Sequence, residues 1–326
     1  MTGSLLLGVD GGGTKTEFVL VDRAGRIAAM HRESGSYHLQ IGIERLRDVI
    51  GRGLKAILGG LGLSGDAVEY AFFGLPAYGE DSSIQPLLDS LPAEFLGHRR
   101  YRCGNDMVCT WAGSLAGEDG IGIVAGTGSI GYGERAGRTA RAGGWGELFS
   151  DEGSAYWIAT RGLNAFSRMA DGRLPRGPLY HILVREFALA SDLDLCAHVM
   201  SAEGPSRDRI AAFCPLVARA ADEGDEQAQA IFQAAARELA DIADALRTAL
   251  GYPPGERVLT SYSGGAFVTG ERLLAPFRNS LSELSADFEL RVPLLTPSVG
   301  AALYAARDCG RPLDASAIAR LREVAS

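Results

Sequence analysis

The chain has 326 residues, 46% of them hydrophobic and 22% charged, and carries a net charge of −8 at neutral pH. That is enough apolar chain for two separate cores. The acidic balance, with no basic cluster beyond Arg99-Arg100 and Arg102, argues against a nucleic-acid partner, and no apolar run nears the roughly 20 residues of a membrane span.

Residues 5–9, 17–22 and 26–32 read as three antiparallel strands joined by short turns. Between the first two, Asp10 is followed by Gly11, Gly12, Gly13, Thr14, Lys15 and Thr16. Glycines let the backbone come close to a ligand and let successive N–H groups point at one anion. Asp10 would repel that anion but can hold a divalent cation, so the pair suggests Mg–nucleotide chemistry. A plain hairpin turn needs one glycine, and each further one costs about 1 kcal/mol in chain entropy. The loop is not a P-loop. Thr14 separates Gly13 from Lys15, and the following Glu17-Phe18-Val19-Leu20-Val21 favours a strand over a helix.

Leu46, Ile50, Leu54 and Leu58 recur every four residues and predict a helix over 43–58. Residues 68–74 read as a strand ending at Leu75-Pro76, and residues 83–91 as a short helix. Tyr101-Arg102-Cys103-Gly104 leads into Asn105-Asp106, then a helix over 107–115 and a glycine hinge at 117–120. Asp106 at a helix start suits an N-cap. A carboxylate at the carboxyl end of a strand also suits a general base for phosphoryl transfer, and the two roles are compatible.

A second hairpin spans 121–134. The segment from 120, GIGIVAGTGSIGYGERAGRTA, repeats the plan of LLLGVDGGGTKTEFVLVDRAGRI from 5. Each has an apolar strand, a Gly/Thr loop and a second strand, closed by Ala24-Gly25-Arg26 or Ala136-Gly137-Arg138. The repeat predicts two related domains, whose hairpins would grip a triphosphate from both ends. Gly126 to Gly131 also fits G-x-G-x-x-G, but that motif alone is weak and no helical period follows it, the wrong context for a dinucleotide site.

Gly143-Gly144-Trp145-Gly146 is a loop, followed by Asp151-Glu152-Gly153-Ser154 and a helical pattern over 153–169. Those acids suit helix capping, or hydroxyl acceptors in a sugar site with an aromatic against the ring face. Phe232, Ala235, Leu239, Ile242 and Leu246 mark a long amphipathic helix. A strand over 258–263 runs into Gly264-Gly265, a plain turn or a flat approach for a base. Residues 288–295 read as a strand and 297–306 as a helix. Strands and helices alternate in both halves, which predicts an α/β fold.

The order of DGGGTKT (10–16), Asn105-Asp106, AGTGS (125–129), GGWG (143–146), DEGSAYW (151–157) and SGGA (263–266) resembles the N-acetylglucosamine kinase branch of the BadF/BadG/BcrA/BcrD ATPase family. That family lies within the sugar kinase/Hsp70/actin superfamily, and the resemblance covers nearly the whole chain. It implies two ribonuclease-H-like (actin-like ATPase) domains with a nucleotide cleft. They would be 1–116, rejoined by about 308–326, and 117–307. It further implies ATP and Mg²⁺ as cofactors, with Asp10 positioning the metal through water and Asp106 as catalytic base toward a sugar 6-hydroxyl. Gly12, Gly13, Thr14 and Lys15 with Gly126, Thr127 and Gly128 would hold phosphates. Gly264 and Gly265 would face adenine, with Ala212 near the nucleotide. The sugar would meet Ser36, Tyr37, Asn105, Ser129, Ile130, Trp145, Gly146 and Asp151. Two departures stand out: relatives carry Asn near Ser36-Tyr37-His38 and at Ile130, and both positions would touch the sugar. The Ser129-Ile130-Gly131 version is closer to glucosamine kinases. The sugar is therefore expected to be N-acetylglucosamine or glucosamine, with another N-acetylhexosamine as the alternative.

The expected partner is a small-molecule sugar, with no nucleic acid, no membrane and a possible homodimer, since dimers are common in relatives. The start of the chain shows no secretory signal pattern. Cys103, Cys109, Cys196, Cys214 and Cys309 are scattered and never spaced C-x-x-C. They read as reduced thiols of a cytoplasmic protein. They disfavour the rival reading of a reductase-activating ATPase, which bridges two subunits through paired cysteines and an iron–sulfur cluster. The histidines show no metal-ligand spacing. No helix-turn-helix or zinc cysteines support a third reading, a regulatory module.

Overall fold

The computed structural model describes residues 4–200, 204 and 206–325. In chain order it forms β1 (Leu5–Gly11), β2 (Lys15–Asp22), β3 (Ile27–Ser34), α1 (His38–Ile41), α2 (Ile43–Gly59), β4 (Val68–Leu75), α3 (Gln85–Leu96), β5 (Tyr101–Asn105) and α4 (Met107–Leu115). There follow β6 (Gly120–Ala125), β7 (Ser129–Arg135), β8 (Arg138–Gly143), α5 (Ala155–Ala170), α6 (Pro178–Glu186), α7 (Asp194–Met200), α8 (Arg207–Ala211), α9 (Cys214–Asp222) and α10 (Glu226–Ala249). The chain ends with β9 (Val258–Ser263), α11 (Glu271–Leu284), β10 (Phe288–Arg291), α12 (Pro297–Asp308) and α13 (Ala315–Ala325).

Two compact units result, Met1–Asp119 with Arg291–Ser326, and Gly120–Leu290. Each holds one five-stranded sheet, ordered β3-β2-β1-β4-β5 in the first and β8-β7-β6-β9-β10 in the second. In both, the first three strands form an antiparallel meander, and the central strand then pairs parallel with the next one in the chain, β4 or β9. This is the ribonuclease-H-like arrangement twice over. The first unit begins again at Arg291, not near 308, because α12 packs on α4, β1 and β4 of its sheet.

β1 is central and buried on both faces, which is why its apolar residues run without alternation. Leu5, Leu7 and Val9 meet Leu46, Ile50 and Leu54 of α2 and Leu91 of α3 on one side. On the other, α12 comes so close that a Cβ at Gly8 would collide with the Ser298 carbonyl. Tyr304 of α12 stands edge-on to Phe72 and Trp111, with ring centroids 4.7 and 6.2 Å apart. Cutting any of these fully buried side chains back to alanine costs about 2–5 kcal/mol.

In the second unit, Ile121 and Ile123 of β6 share a core with Ile158 and Phe166 of α5 and Phe232, Leu239 and Leu246 of α10. Asp225, 2% exposed, fixes two helix starts together. Its Oδ1 accepts the N–H groups of Gln227 and Ala228 at 3.0 Å each, and its Oδ2 accepts that of Leu179 at 2.8 Å. A carboxylate is stabilised there by both helix N-termini. Sequence periodicity locates α2, α4, β9 and the middle of α10. The expected helix over 83–91 instead spans Gln85–Leu96, and the expected strand over 288–295 ends at Arg291.

Candidate active site

In the first unit the parallel strands β1, β4 and β5 end at one corner. The carboxyl ends of parallel strands are where open α/β sheets bind ligands. Asp10 of β1 lies in register with Gly74 of β4. A Cβ at Gly74 would collide with the Cys109 sulfur and come within 3.1 Å of the Asp106 Cα. The bare backbone therefore lets the β5–α4 turn settle onto β4 and brings Asp106 beside Asp10. Burial, then the neighbouring Asp106 and Glu17 carboxylates, push the Asp10 carboxyl well above its ordinary range; Lys15 and the Cys109 thiol oppose this.

Asp106 occupies the N-cap position of α4, yet its side chain makes no capping hydrogen bond. Asn105 does that work: its Oδ1 accepts the Met107 N–H at 3.1 Å and its Nδ2 donates to the Tyr78 carbonyl at 3.2 Å. Asn105, expected at the sugar, thus directs both ends of its amide to backbone.

The β1–β2 turn carries Gly12, Gly13 and Thr14, the last two exposed. The Ser36 N–H donates to the Gly12 carbonyl at 2.9 Å, and Gly35 backs the turn so tightly that a Cβ there would collide with the Gly13 carbonyl. Lys15 pairs with Glu17 at 2.8 Å, which also pairs with Arg32 at 2.7 Å. Ser36 is fully buried and its hydroxyl closes no hydrogen bond. Tyr37 is half-buried at the start of α1.

In the second unit the β6–β7 turn is bolted to the start of α5. The Gly126 N–H donates to the Gly128 carbonyl at 2.8 Å, the Gly126 carbonyl accepts from Ala155 at 2.9 Å, and Ser129 Oγ donates to the Glu152 carbonyl at 2.6 Å. Ser154, not Asp151 or Glu152, caps α5 by accepting the Trp157 N–H. Gly264, at φ +100°, lies against the Ala125 carbonyl, where a Cβ would not fit. Gly264 and Gly265 therefore form an exposed, flat shelf beside Gly126.

Asp151 is 2% exposed and adopts φ +61°, a left-handed conformation strained for a residue with a side chain. It accepts the Ser129 N–H at 3.3 Å and pairs with Arg207, which also lies 3.6 Å from Glu147. Burial raises the Asp151 carboxyl, while Arg207 and the Ser129 N–H oppose the shift. Asp208 accepts from Thr127 Oγ1 at 3.1 Å. Ala212, exposed, donates its N–H to the Asp208 carbonyl one turn on. Ile130 fills the space over Gly144, where a Cβ would meet it at 2.7 Å. Trp145 is 73% exposed, in a segment where Leu148 and Phe149 also face solvent. Gly146 takes φ +97° beside it.

The structure therefore gathers Asp10, Gly12, Ser36 and Asp106 in one unit. In the other it gathers Gly126, Thr127, Gly128, Ser129, Asp151 and Gly264. Trp145, 73% exposed, is not part of the buried core of its own unit. Gly35, Gly74 and Cys109, which shape the first corner, and Arg207 and Asp208, which hold the second, escaped the sequence reading. No cluster of three or more His, Cys, Asp or Glu side chains that could cage a metal exists among the described residues. Mg²⁺ needs only one or two carboxylates when phosphates supply the rest, and the buried Asp10 carboxyl, crowded by the like charges of Asp106 and Glu17, fits that requirement.

The chain is similar to an N-acetyl-D-glucosamine kinase of Dictyostelium discoideum, 29% identical over 314 residues, 94% of this chain and 98% of that protein. It is 28% identical over 284 residues to an N-acetylmuramic acid/N-acetylglucosamine kinase of Clostridium acetobutylicum, covering 85% and 90% of the two chains. A solved structure from Chromobacterium violaceum, provisionally assigned as an N-acetylglucosamine kinase, superimposes with a TM-score of 0.72. That pair is 27% identical over 93% of this chain and 99% of the other. The fold is the two-domain actin-like ATPase fold, and a sequence model of the family matches residues 7–305. With two equivalent sheets, a glycine turn at the end of each central strand and a match along nearly its whole length, the chain belongs to the BadF/BadG/BcrA/BcrD ATPase family.

Proposed function

We propose that this protein is an ATP-dependent amino-sugar kinase, phosphorylating the 6-hydroxyl of N-acetylglucosamine or glucosamine. The observation that carries this reading is Asp106. It stands beside Asp10 at the carboxyl ends of β1, β4 and β5, with the capping duty at its position taken over by Asn105. A carboxylate so placed accepts the proton of the attacking hydroxyl. Asn105 acts indirectly, by fixing the turn that aims Asp106.

Gly12, Gly13, Thr14 and Lys15 serve the phosphates from one unit and Gly126, Thr127 and Gly128 from the other, because they lie in or next to tight, glycine-rich turns at the ends of the two central strands. Lys15 exchanges Glu17 for phosphate. Gly264 and Gly265 offer the adenine a surface without side chains, with Ala212 near the nucleotide. Ser36, Tyr37, Ser129, Ile130, Trp145, Gly146 and Asp151 serve the sugar. Asp10 would hold a Mg²⁺ ion, which when bound would supply charge neutralisation for the transferring phosphoryl group. The names of the curated relatives favour an amino sugar. The activator reading needs paired, reachable cysteines; Cys103, Cys109 and Cys214 are buried and only Cys196 is exposed. No helix among the described residues is long and apolar enough to cross a membrane.

Coupled ADP release with Mg–ATP over N-acetylglucosamine, glucosamine, N-acetylmannosamine, N-acetylmuramic acid and glucose tests the reading. Preference for one amino sugar is expected, and no turnover with any of them would end it. Ile130 bears on the choice. Ile130→Asn places an amide beside Gly144 and is expected to raise kcat/KM for N-acetylglucosamine relative to glucosamine by about tenfold. An unchanged ratio would remove position 130 from sugar selection.

A further inference from the structure

Asp208 has no part in the proposed chemistry, although it touches the proposed phosphate turn directly. Its Oδ1 accepts the proton of Thr127 Oγ1 at 3.1 Å. A hydroxyl has one proton to donate, so Thr127 cannot serve Asp208 and a polyphosphate oxygen together. The Asp208 charge also opposes any phosphate arriving there, since like charges a few ångströms apart repel even in a high dielectric.

Asp208 is exposed and in the first turn of α8, but it is not loosely placed. Ser206 caps that helix by accepting the Arg209 N–H. The neighbouring Arg207 is fixed on buried Asp151, and a Cβ at Gly128 would collide with its guanidinium. One short helix thus holds two consecutive residues of opposite charge against one turn, the cation on Gly128 and the anion on Thr127. The cation can stay when nucleotide binds; the anion must leave.

We infer that Asp208 sets the nucleotide affinity of this turn by competing with the polyphosphate for the Thr127 hydroxyl. The inference rests on the proposed phosphate role of Thr127. Asp208 acts as an internal stand-in for phosphate. It keeps the hydroxyl aimed and weakens ATP binding by the work of displacing its own charge.

Titration calorimetry of the full chain with Mg–ATP, without sugar, tests this in a two-residue cycle. Asp208→Ala is expected to lower Kd about fivefold at low salt, with the gain shrinking as salt screens the exposed charge. Thr127→Ala is expected to raise Kd. In the Thr127→Ala background, Asp208→Ala is expected to tighten binding clearly less than in the parent, because the share carried by the hydrogen bond is gone and only the charge repulsion is left. If Thr127→Ala binds Mg–ATP as well as the parent, Thr127 is no phosphate ligand, and the phosphate-turn reading and this inference fall together. If Thr127→Ala weakens binding but Asp208→Ala fails to tighten it, only the inference is overturned. Equal tightening in both backgrounds would also overturn it, since Asp208 would then act as a distant charge.

Discussion

Asp106→Ala is expected to lower kcat for sugar phosphorylation by about 10³-fold while Mg–ATP binds with nearly unchanged Kd. The size follows from losing general-base assistance, the separation from where Asp106 stands. It sits at the end of β5 beside Asp10, whereas the groups proposed to hold the phosphates lie in the β1–β2 and β6–β7 turns. Misfolding is a weak alternative here. The side chain that accepts the first-turn N–H of α4 is the Asn105 amide, so truncating Asp106 removes no capping bond, and a melting curve of the variant checks that the fold is kept. Single-turnover kinetics and calorimetry on one preparation give both numbers. Near-parental kcat would take Asp106 out of the mechanism, and joint loss of binding and turnover would make it a structural residue of the corner.

Much of this corner was legible because glycine reports backbone geometry locally. The Asp10–Thr16 and Ala125–Ser129 segments announce strand, turn and strand in a few residues, and the fourfold spacing from Leu46 to Leu58 announces α2. Elements without a local signature were missed. β8 is Arg-Thr-Ala-Arg-Ala-Gly, polar and solvent-facing, so no apolar alternation marks it. α6 and α9 each begin with a proline in the first turn, where its missing N–H is harmless, and they are too short to show a period. α3 runs through Pro92 to Leu96, although a proline reads as a stop. Within the site, Asp106 could be found because it follows a strand directly. Arg207 could not. It meets Asp151 across 56 residues of chain, and only folding brings that pair together. Gly74 was invisible for a related reason, since its meaning lies in the Cys109 sulfur and Asp106 backbone packed against it.

Asp10→Asn is expected to abolish activity and yet raise the melting temperature of the ligand-free protein by about 3 °C at pH 8. Burial, Asp106 and Glu17 raise the folded-state pKa of Asp10 above its unfolded value of about 3.9. Between those two values the folded chain binds more protons than the unfolded chain, so stability falls as pH rises through that window. Above it, the parent protein carries the full cost of an ionised carboxylate crowded by two others. Asparagine removes that cost at nearly the same volume. The advantage of the variant should therefore be largest at pH 8, decline with acidification, and vanish near pH 3, where Asp10 is protonated in both states. Mg–ATP should reverse the order, because the charge that destabilises the free protein is the one a cation needs. Melting curves from pH 3 to 8, with and without Mg–ATP, give the comparison. A variant less stable than the parent at every pH would mean that ionised Asp10 is a net stabiliser of this corner, held by Lys15 more strongly than Asp106 and Glu17 oppose it. Its place would then be structural, and the case for a cation there would lose its physical motive.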